Sequence, residues 1–280
     1  MTDYDWAADR GEQWLAQLSG LEAMMAEIDE PLIAALNLEF NSSTSAPPRI
    51  ADIACGGGGT TFKLEHAAPV NSEINGFDIS SALVEFANSK AARANSQAKF
   101  LVANIQTAPA PREGYDFVLS RFGIMFFDKP EVAFRNIRKW LTPAGHFAFA
   151  VWGNPKQNPW MMLLKEVASQ FVEVPKPEYD SPGPFRYAEN ALLLGELDAA
   201  GFKQIKVSEW RGELPIGGGL SPHDAANFAL NAFTFGELLR DAGENVFEQA
   251  KKQLVEMYTV QSKDGKVFMD ACVHIVKGCA

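Results

Sequence analysis

Chemistry is suggested first by the segment from Arg49 to Thr60, which reads RIADIACGGGGT. A short, mostly apolar run leads into four glycines, and a helical pattern follows them. Glycine lets the backbone turn sharply and leaves no Cβ between the chain and a ligand. Because free N–H groups at the start of the following helix attract polar or anionic groups, the segment predicts a loop that binds a small polar ligand.

Two acidic residues lie at the ends of predicted strands around this loop. Asp52 comes just before the glycines, and Asp78 ends a second strand-like run. An acidic residue about 20 residues past a glycine loop accepts hydrogen bonds from ribose hydroxyls, so Asp78 predicts an adenosine-containing ligand. NAD enzymes use the same arrangement, and a degenerate form of their GxGxxG pattern begins at Ala54. The glycines and Asp78 therefore leave both kinds of ligand open.

The elements that must position these residues alternate between strand and helix signals. Strands joined through helices form parallel sheets with right-handed crossovers, and ligands lie beyond the carboxyl ends of such strands. Residues 9–40 have helical periodicity, with Pro31 predicted to divide them into two helices. The predicted strands are 49–54, 73–78, 99–103, 115–119, 146–152, 202–210 and 267–276.

With these motifs in order, the chain resembles the class I, Rossmann-like methyltransferases that depend on S-adenosylmethionine. Their first motif, D-x-G-C-G-x-G, corresponds to residues 52–58, with Ala54 in place of a glycine. Asp78 matches their acidic second motif, and Asn104 stands where a third motif usually carries aspartate. The resemblance continues through residues 115–127 and 140–147, which are similar to the fourth strand with its loop and to the turn before the fifth strand.

The resemblance implies a doubly wound α/β fold with a seven-stranded, mostly parallel sheet whose last strand is antiparallel. We expect N-terminal helices and a helical lid insertion to accompany this sheet. Residues 1–45 are predicted to form an N-terminal helical lid segment, and residues 46–280 a Rossmann-like methyltransferase domain. Insertions are expected at about 153–186 and 221–262.

The resemblance also implies S-adenosylmethionine as cofactor and S-adenosylhomocysteine as product. Asp78 would hold the ribose, while the amide oxygen of Asn104 would meet the adenine amino group. Trp14 would lie near the sulfonium, where a cation–π contact contributes about 0.5–2 kcal/mol, or else pack within the helices. Arg121 would pair with a ligand carboxylate or form a surface salt bridge. The predicted cofactor contacts are Trp14, Asp52, Ala54, Cys55, Gly56, Gly58, Asp78, Ile79, Asn104, Ile105, Ser120 and Arg121.

Aromatic residues after the fourth and fifth predicted strands are candidates for an acceptor pocket. Methyl transfer from a sulfonium is a direct displacement, in which a protein mainly aligns the reactants and excludes water. If the acceptor must lose a proton, His223 is the candidate general base; the alternative is an exposed loop histidine. The predicted pocket residues are Phe126, Phe127, Trp152 and Trp160.

Composition and charge restrict the partners. A formal net charge of -10 opposes binding to nucleic acid, and the aromatic candidates favour a small, apolar or aromatic acceptor. Because Cys55, Cys272 and Cys279 lack CxxC spacing and the histidines lack metal-pair spacing, no disulfide or metal site is predicted. No apolar run reaches the roughly 18 residues of a membrane span, and no signal peptide is recognised, so a cytoplasmic protein is expected.

Two other functions compete with methyl transfer. An NAD-dependent oxidoreductase would need a catalytic set beside the nicotinamide, and neither Tyr115 nor Tyr187 has a lysine four residues later. A methyltransferase-like protein that only binds a ligand is the second alternative. The set formed by Asp52, Gly56, Gly58 and Asp78 favours an active enzyme.

Overall fold

The computed structural model describes residues 5–37, 47–176, 178 and 180–280. Its strands are β1 (Arg49–Ile53), β2 (Glu73–Asp78), β3 (Lys99–Val102), β4 (Tyr115–Arg121), β5 (Leu141–Trp152), β6 (Lys203–Pro215), β7 (Ser262–Lys263) and β8 (Lys266–Cys279). Its α-helices are α1 (Asp9–Ala16), α2 (Leu18–Met24), α3 (Asp29–Leu36), α4 (Gly59–Ala67), α5 (Ser81–Ala94), α6 (Pro130–Trp140), α7 (Pro159–Ala168), α8 (Asn190–Ala200), α9 (Pro222–Ala232), α10 (Thr234–Asp241) and α11 (Glu244–Gln261).

The strands form one sheet in the order β3-β2-β1-β4-β5-β8-β6, and the two-residue β7 pairs back onto β8. Neighbouring strands from β3 to β5 run parallel, whereas β8 is antiparallel to both β5 and β6. Apart from β7, which was not predicted, this is the expected doubly wound sheet with an antiparallel last strand. The order reverses at β1 and β4, which places the ligand-binding crevice of such folds beyond the carboxyl ends of these two strands.

Two strands, β5 and β6, are longer than predicted because hydrogen-bonded pairing with a neighbouring strand extends them. β6 was expected to end at residue 210 but continues to Pro215, because its register with β8 runs on to the pair of Pro215 and Phe268. β5 begins at Leu141 rather than residue 146, because Leu141 pairs with Tyr115 of β4. Local sequence gives weak strand signals at both places, so tertiary pairing decides them.

The N-terminal helices divide elsewhere than predicted. Pro31 is the third residue of α3, where its missing N–H costs no intrahelical hydrogen bond. The breaks fall instead at Gln17 and at Met25. Leu32 and Leu36 of α3 are fully buried in the main core, so this helix packs against the sheet. Residues 38–40 of the predicted helical run lie outside the described residues.

Helices cover both faces of the sheet, as amphipathic patterns require. In α6, Phe134, Ile137 and Trp140 are buried while Arg135 and Lys139 are exposed, which is the spacing of one apolar helix face. Residues 222–261 form the three helices α9 to α11. Among the described helices, none combines the length and hydrophobicity needed to cross a bilayer.

Candidate cofactor and acceptor site

The glycine loop and the end of β2 are joined by hydrogen bonds to Asp78. The Gly56 N–H donates to Asp78 Oδ2 at 2.8 Å, and the Ser80 N–H donates to Oδ1 at 2.9 Å. Desolvation raises the pKa of this buried carboxyl, and the backbone donors of Ser80, Gly56 and Ile79 oppose that rise. Since each carboxylate oxygen has more than one acceptor position, Asp78 can bind a diol while it holds the loop.

Gly56 and Gly58, both predicted to contact the cofactor, lie in different surroundings. Gly56 has a positive φ of 56° and borders a large cavity; a Cβ there would approach nothing closer than Trp14 Nε1 at 3.9 Å. Gly58 also has a positive φ, 83°, but a Cβ on it would lie 2.7 Å from the Phe100 ring. The structure therefore leaves Gly56 open to a ligand and packs Gly58 against β3.

The other two glycines of the loop accommodate helix α2. A Cβ at Gly57 would lie 2.3 Å from Leu18, and a Cβ at Gly59 would lie 2.8 Å from Glu22. The loop is thus held between the sheet and an N-terminal helix. This contact depends on tertiary packing, and no sequence signal of the loop predicts it.

Ala54 occupies the position of the missing glycine and adopts a positive φ of 55°. A side chain with a Cβ is strained in this region. The Ala54 Cβ also fills the space beside Gly123, where a second Cβ would lie only 2.3 Å away. The substitution of alanine for glycine in the loop therefore requires glycine at 123.

Asp52 is completely buried below the loop and accepts a 2.6 Å hydrogen bond from Thr61 Oγ1. Desolvation, the largest effect, raises the pKa of Asp52 to about 7, while Thr61 and the positive charge of Arg121 oppose the rise. Near neutral pH this carboxyl therefore changes charge readily. Its placement at the end of β1 and on the cavity makes it a candidate partner for a cationic ligand group.

Asp29, which no sequence motif indicates, is a buried carboxylate that contacts two residues of the cavity lining, Thr60 and Arg121. It accepts from Thr60 Oγ1 at 2.7 Å and from Arg121 Nη1 at 3.0 Å, and Lys63 Nζ lies 2.9 Å away. Arg121 also donates to the Met25 carbonyl at 3.1 Å. Arg121 is therefore held in a buried ion pair that links β4 to the start of α3, rather than in the surface salt bridge considered above.

A cavity of about 1550 Å³ opens at the carboxyl ends of β1, β2 and β4. Ligand pockets usually measure roughly 300–1,000 Å³, so this one has room for two small molecules. The structure brings most of the predicted site residues to its lining. They are Trp14, Asp52, Ala54, Cys55, Gly56, Asp78, Ile79, Asn104, Ile105, Arg121, Phe126, Phe127, Trp152 and Trp160.

Three predicted site residues lie away from that lining. Gly58 packs on Phe100, and the fully buried Ser120 turns its hydroxyl to the Ile53 carbonyl at 2.7 Å. His223 occupies the first turn of α9 with 64% of its side chain exposed, beside Asp224. The structure thus does not bring His223 to the cavity, because the helix turns this residue toward solvent.

Comparison with known proteins agrees with this geometry. Residues 50–145 match the methyltransferase domain family. Phosphoethanolamine N-methyltransferase 1 of Triticum aestivum is 31% identical over 100 residues, 36% of this chain and 20% of that protein. Demethylmenaquinone methyltransferase of Thermus thermophilus is 28% identical over 120 residues, 43% of this chain and 54% of that protein. The chain therefore spans less than two thirds of either curated relative.

A solved structure extends the match to the whole fold. Phosphoethanolamine N-methyltransferase 2 of Haemonchus contortus, in complex with S-adenosyl-L-methionine, superposes with a TM-score of 0.51 at 14% identity, covering 88% of this chain and 51% of that chain. Residues 50–145 of this chain are therefore a methyltransferase domain. S-adenosylmethionine, the cofactor expected from the sequence, is the ligand bound in that solved structure.

The polar groups of this methyltransferase site fit S-adenosylmethionine. Gly56 leaves a cradle that a Cβ would fill, and Asp78 presents a buried carboxylate at the ribose position. Asn104 Oδ1 already accepts the Gln106 backbone N–H at 2.9 Å and the Gln106 side-chain amide at 3.5 Å, so the adenine amino group would have to replace the longer of these two hydrogen bonds. Cys55 is buried beneath the loop, and burial raises the pKa of its thiol, so it is a packing residue.

Aromatic rings cover the remaining side of the methyltransferase cavity. Phe122 stacks on Trp152 with ring centroids 4.0 Å apart, Trp152 meets Trp160 at 4.9 Å, and Trp160 meets Phe233 at 5.3 Å. We call these four residues the aromatic wall. Phe122 has a positive φ of 62°, a strained conformation for a bulky residue. Such strain clusters at functional sites, and no sequence pattern predicts it here.

N-terminal aromatic side chains close the cavity beside the glycine loop. Trp6 contacts Trp14 with ring centroids 5.5 Å apart and Phe126 at 5.0 Å. Helix α1 lies directly on the start of α5, since a Cβ at Gly11 would be 2.4 Å from Ser80 Oγ. The first helix is thus packed over the end of β2, next to Asp78.

Proposed function

We propose that the protein transfers the methyl group of S-adenosylmethionine, by direct displacement, to a small acceptor that is largely apolar or aromatic. The supporting observation is that one cavity connects Gly56 and Asp78 with the aromatic wall. Direct displacement needs two reactants held in line and shielded from water. A cavity with a polar end and an aromatic side provides both positions.

The residues at the polar end would hold the cofactor, whose sulfonium supplies an electrophilic methyl group. Asp78 accepts the ribose hydroxyls, and Asn104 with Ile105 borders the adenine. Asp52 attracts the cofactor's ammonium group, and Trp14 covers the loop beside Gly56. None of these side chains needs to form a covalent bond, since their work is orientation and the exclusion of water.

The charges that border the cavity favour an apolar acceptor over a phosphate ester. Arg121 is paired with Asp29 at 3.0 Å, Arg186 with Asp180 at 2.6 Å, and Arg10 lies 3.6 Å from Glu237. A phosphate bound at any of these arginines would have to displace its carboxylate, which leaves Lys165 and Lys176 as the described cations of the lining that could meet it. The two relatives described above are named for phosphoethanolamine and demethylmenaquinone, and the apolar quinone better resembles what the aromatic wall accommodates.

Proton removal does not involve histidine in this proposal. Among the described residues that line the cavity, the titratable side chains are carboxylates, lysines, arginines and Cys55. An acceptor atom with an available lone pair, or one that ionises by itself, fits this lining. Lys165 and Lys176 border the cavity and would meet any single anionic group on the acceptor.

The mobile cover of the site is proposed to be smaller than the segments expected from sequence. Helices α1 and α2 contribute Trp14 and Leu18 to the lining, and Phe235 and Leu238 of α10 border the opposite side. Helix α3 packs on the sheet and would stay in place. We therefore assign the lid to residues 5–24 and 233–241.

Transfer of labelled methyl to a panel of small molecules tests the proposal. The panel should contain quinols, phenols and other apolar acceptors. Phosphoethanolamine, tRNA, DNA and basic peptides should be tested separately as alternative acceptors. Label in an apolar acceptor, lost in Asp78→Ala, is expected. Transfer only to phosphoethanolamine or to a polymer would overturn the acceptor class.

A further inference from the structure

Three side chains of metal-ligand type meet at the β6 edge of the sheet. Glu209 of β6 lies directly opposite His274 of β8 in the antiparallel register. Cys272 precedes His274 by two residues, so its side chain lies on the same sheet face. One ligand atom from each residue, a carboxylate oxygen, a thiol sulfur and an imidazole nitrogen, lies within 4.8 Å of the other two.

Gly153 leaves the space that these side chains share. A Cβ at this position would lie 2.7 Å from Cys272 Sγ and 3.2 Å from His274 Nε2. The Gly153 N–H also donates to the Cys272 carbonyl at 2.9 Å, which fixes the two strands at this point. The sulfur and the ring nitrogen therefore face one small opening rather than separate surroundings.

The imidazole of His274 is buried and makes no hydrogen bond to any described residue. Its Nε2 atom, which faces the opening beside Gly153, lies 3.8 Å from Glu209 Oε2, beyond hydrogen-bond distance, and its Nδ1 atom on the other side of the ring also has no partner among those residues. Only 10% of this side chain is exposed. Buried polar atoms usually have a partner, and a bound ion is one cause of an apparent exception.

We propose that Glu209, Cys272 and His274 bind a thiophilic divalent metal ion of the zinc class. Sulfur, nitrogen and carboxylate oxygen are the donors that zinc prefers. Tetrahedral coordination at ordinary bond lengths places such donors roughly 3.3–3.6 Å apart. The ligand atoms, which lie within 4.8 Å of one another, must therefore approach by up to about 1.5 Å. Water completes the coordination on the Glu209 side, where 39% of the side chain is exposed.

Binding exchanges one bond for another at Cys272. The sulfur–metal bond forms as the S–H bond breaks, and the proton leaves to solvent. Arg211, which contacts Glu209 through its Nε atom, must release that carboxylate, so Glu209 is the weakest of the three ligands. None of the three residues borders the cofactor cavity, and the site is therefore independent of the proposed methyl transfer.

Cobalt and zinc titrations of the full chain test this site. Co²⁺ should give the charge-transfer absorption of a thiolate ligand, and a chromophoric chelator should report Zn²⁺ affinity. Cys272→Ser and His274→Ala should each lower the Zn²⁺ affinity. The loss should exceed the roughly 10–100-fold decrease that follows when a residue hydrogen-bonded to a metal ligand is removed. The exposed variant Glu209→Gln should weaken it less.

Matched controls lie on the same two strands. Cys279→Ser on β8 and Glu213→Gln on β6 should leave both the Co²⁺ spectrum and the Zn²⁺ affinity unchanged. A wild-type spectrum without thiolate absorption would overturn the proposal even if the Cys272 variant fails to fold. The proposal would also be overturned if the Glu209→Gln and His274→Ala variants each bound Zn²⁺ as tightly as the wild type.

Discussion

The backbone N–H of Gly56 donates a 2.8 Å hydrogen bond to the Asp78 carboxylate, so the ends of β1 and β2 share one buried acceptor. Asp78→Ala should weaken the binding of S-adenosylmethionine by about 1.5–3 kcal/mol, which is a roughly 10- to 150-fold loss of affinity, because the ribose loses a charged hydrogen-bond acceptor. Calorimetric titration measures this loss. Asp116→Ala is the control, since Asp116 accepts the Arg49 N–H at the opposite end of the sheet. Unchanged affinity in Asp78→Ala would remove this residue from the site.

Gly56 and Gly58 should respond differently to alanine. Gly56→Ala places a methyl group in the cavity, so affinity should fall about tenfold or more, equal to 1.4 kcal/mol, with a stability cost of about 1 kcal/mol from the positive φ. Gly58→Ala meets the Phe100 ring and should cost about 2–3 kcal/mol of stability. Urea unfolding and calorimetry separate the two effects. Equal losses of affinity and of stability in the two variants would contradict the placement of Gly56 at the ligand and of Gly58 against Phe100.

Ala54 and Gly123 should be energetically coupled. Gly123→Ala is expected to cost about 2–3 kcal/mol, because its Cβ would lie 2.3 Å from that of Ala54. In an Ala54→Gly background the same change should cost at least about 1 kcal/mol less. Ala54→Gly alone should have a small effect, since relief of strain is offset by the freedom of glycine in the unfolded chain. Additive unfolding energies would show that the two Cβ positions do not meet.

Cofactor affinity should rise with pH through the ionisation of Asp52. With a pKa of about 7 in the free protein, this carboxyl must be ionised to attract an ammonium group. The dissociation constant should therefore be about tenfold lower at pH 8 than at pH 6. Asp52→Asn should bind more weakly at pH 8 and show a flatter profile. A wild-type profile that Asp52→Asn reproduces would assign the dependence to another group.

Asp52→Asn should also stabilise the ligand-free protein against unfolding at high pH. The folded-state pKa of Asp52 lies above its ordinary value of 3.8, so the unfolded chain loses this proton first and stability falls as pH rises from about 4 to 7. Asp52→Asn removes that loss and should raise the melting temperature at pH 8 but not near pH 4. A lower melting temperature at pH 8 would mean that Arg121 outweighs desolvation.

Hydrogen exchange should locate the lid. Cofactor together with product should slow exchange in residues 5–24 and 233–241, because lids close over bound reactants. Residues 29–36 of α3, already packed on the sheet, should change little and provide an internal reference. Protection limited to residues 50–125 would place no lid on either helical segment.

The sequence predicted local features well and missed those that depend on packing across the fold. The order of strands, the glycine loop and Asp78 follow from local patterns and their resemblance to a family. The ion pair between Asp29 and Arg121 joins residues 92 apart, and only the fold brings them together. For His223 the sequence left open a general base at the cavity and an exposed histidine, and the structure places it in the first turn of α9 with its side chain exposed.

The cluster of Glu209, Cys272 and His274 on β6 and β8 likewise could not be predicted from local sequence. Cys272 and His274 are two residues apart, but their partner Glu209 is fixed only by the register of two strands. Metal-binding spacing in one segment of sequence cannot reveal a site assembled across a sheet. The contacts of Gly57 and Gly59 with α2 likewise depend on a helix that precedes the loop by many residues.

Titration of the unmodified protein with S-adenosylmethionine, S-adenosylhomocysteine and NAD distinguishes a methyltransferase from the alternatives. We expect one molecule of either sulfur nucleoside to bind per chain, the two to compete with each other, and NAD not to bind in the same concentration range. Both nucleosides should lose affinity in Asp78→Ala and in Gly56→Ala. Tight binding of NAD without S-adenosylmethionine, or no binding of either sulfur nucleoside, would contradict this expectation.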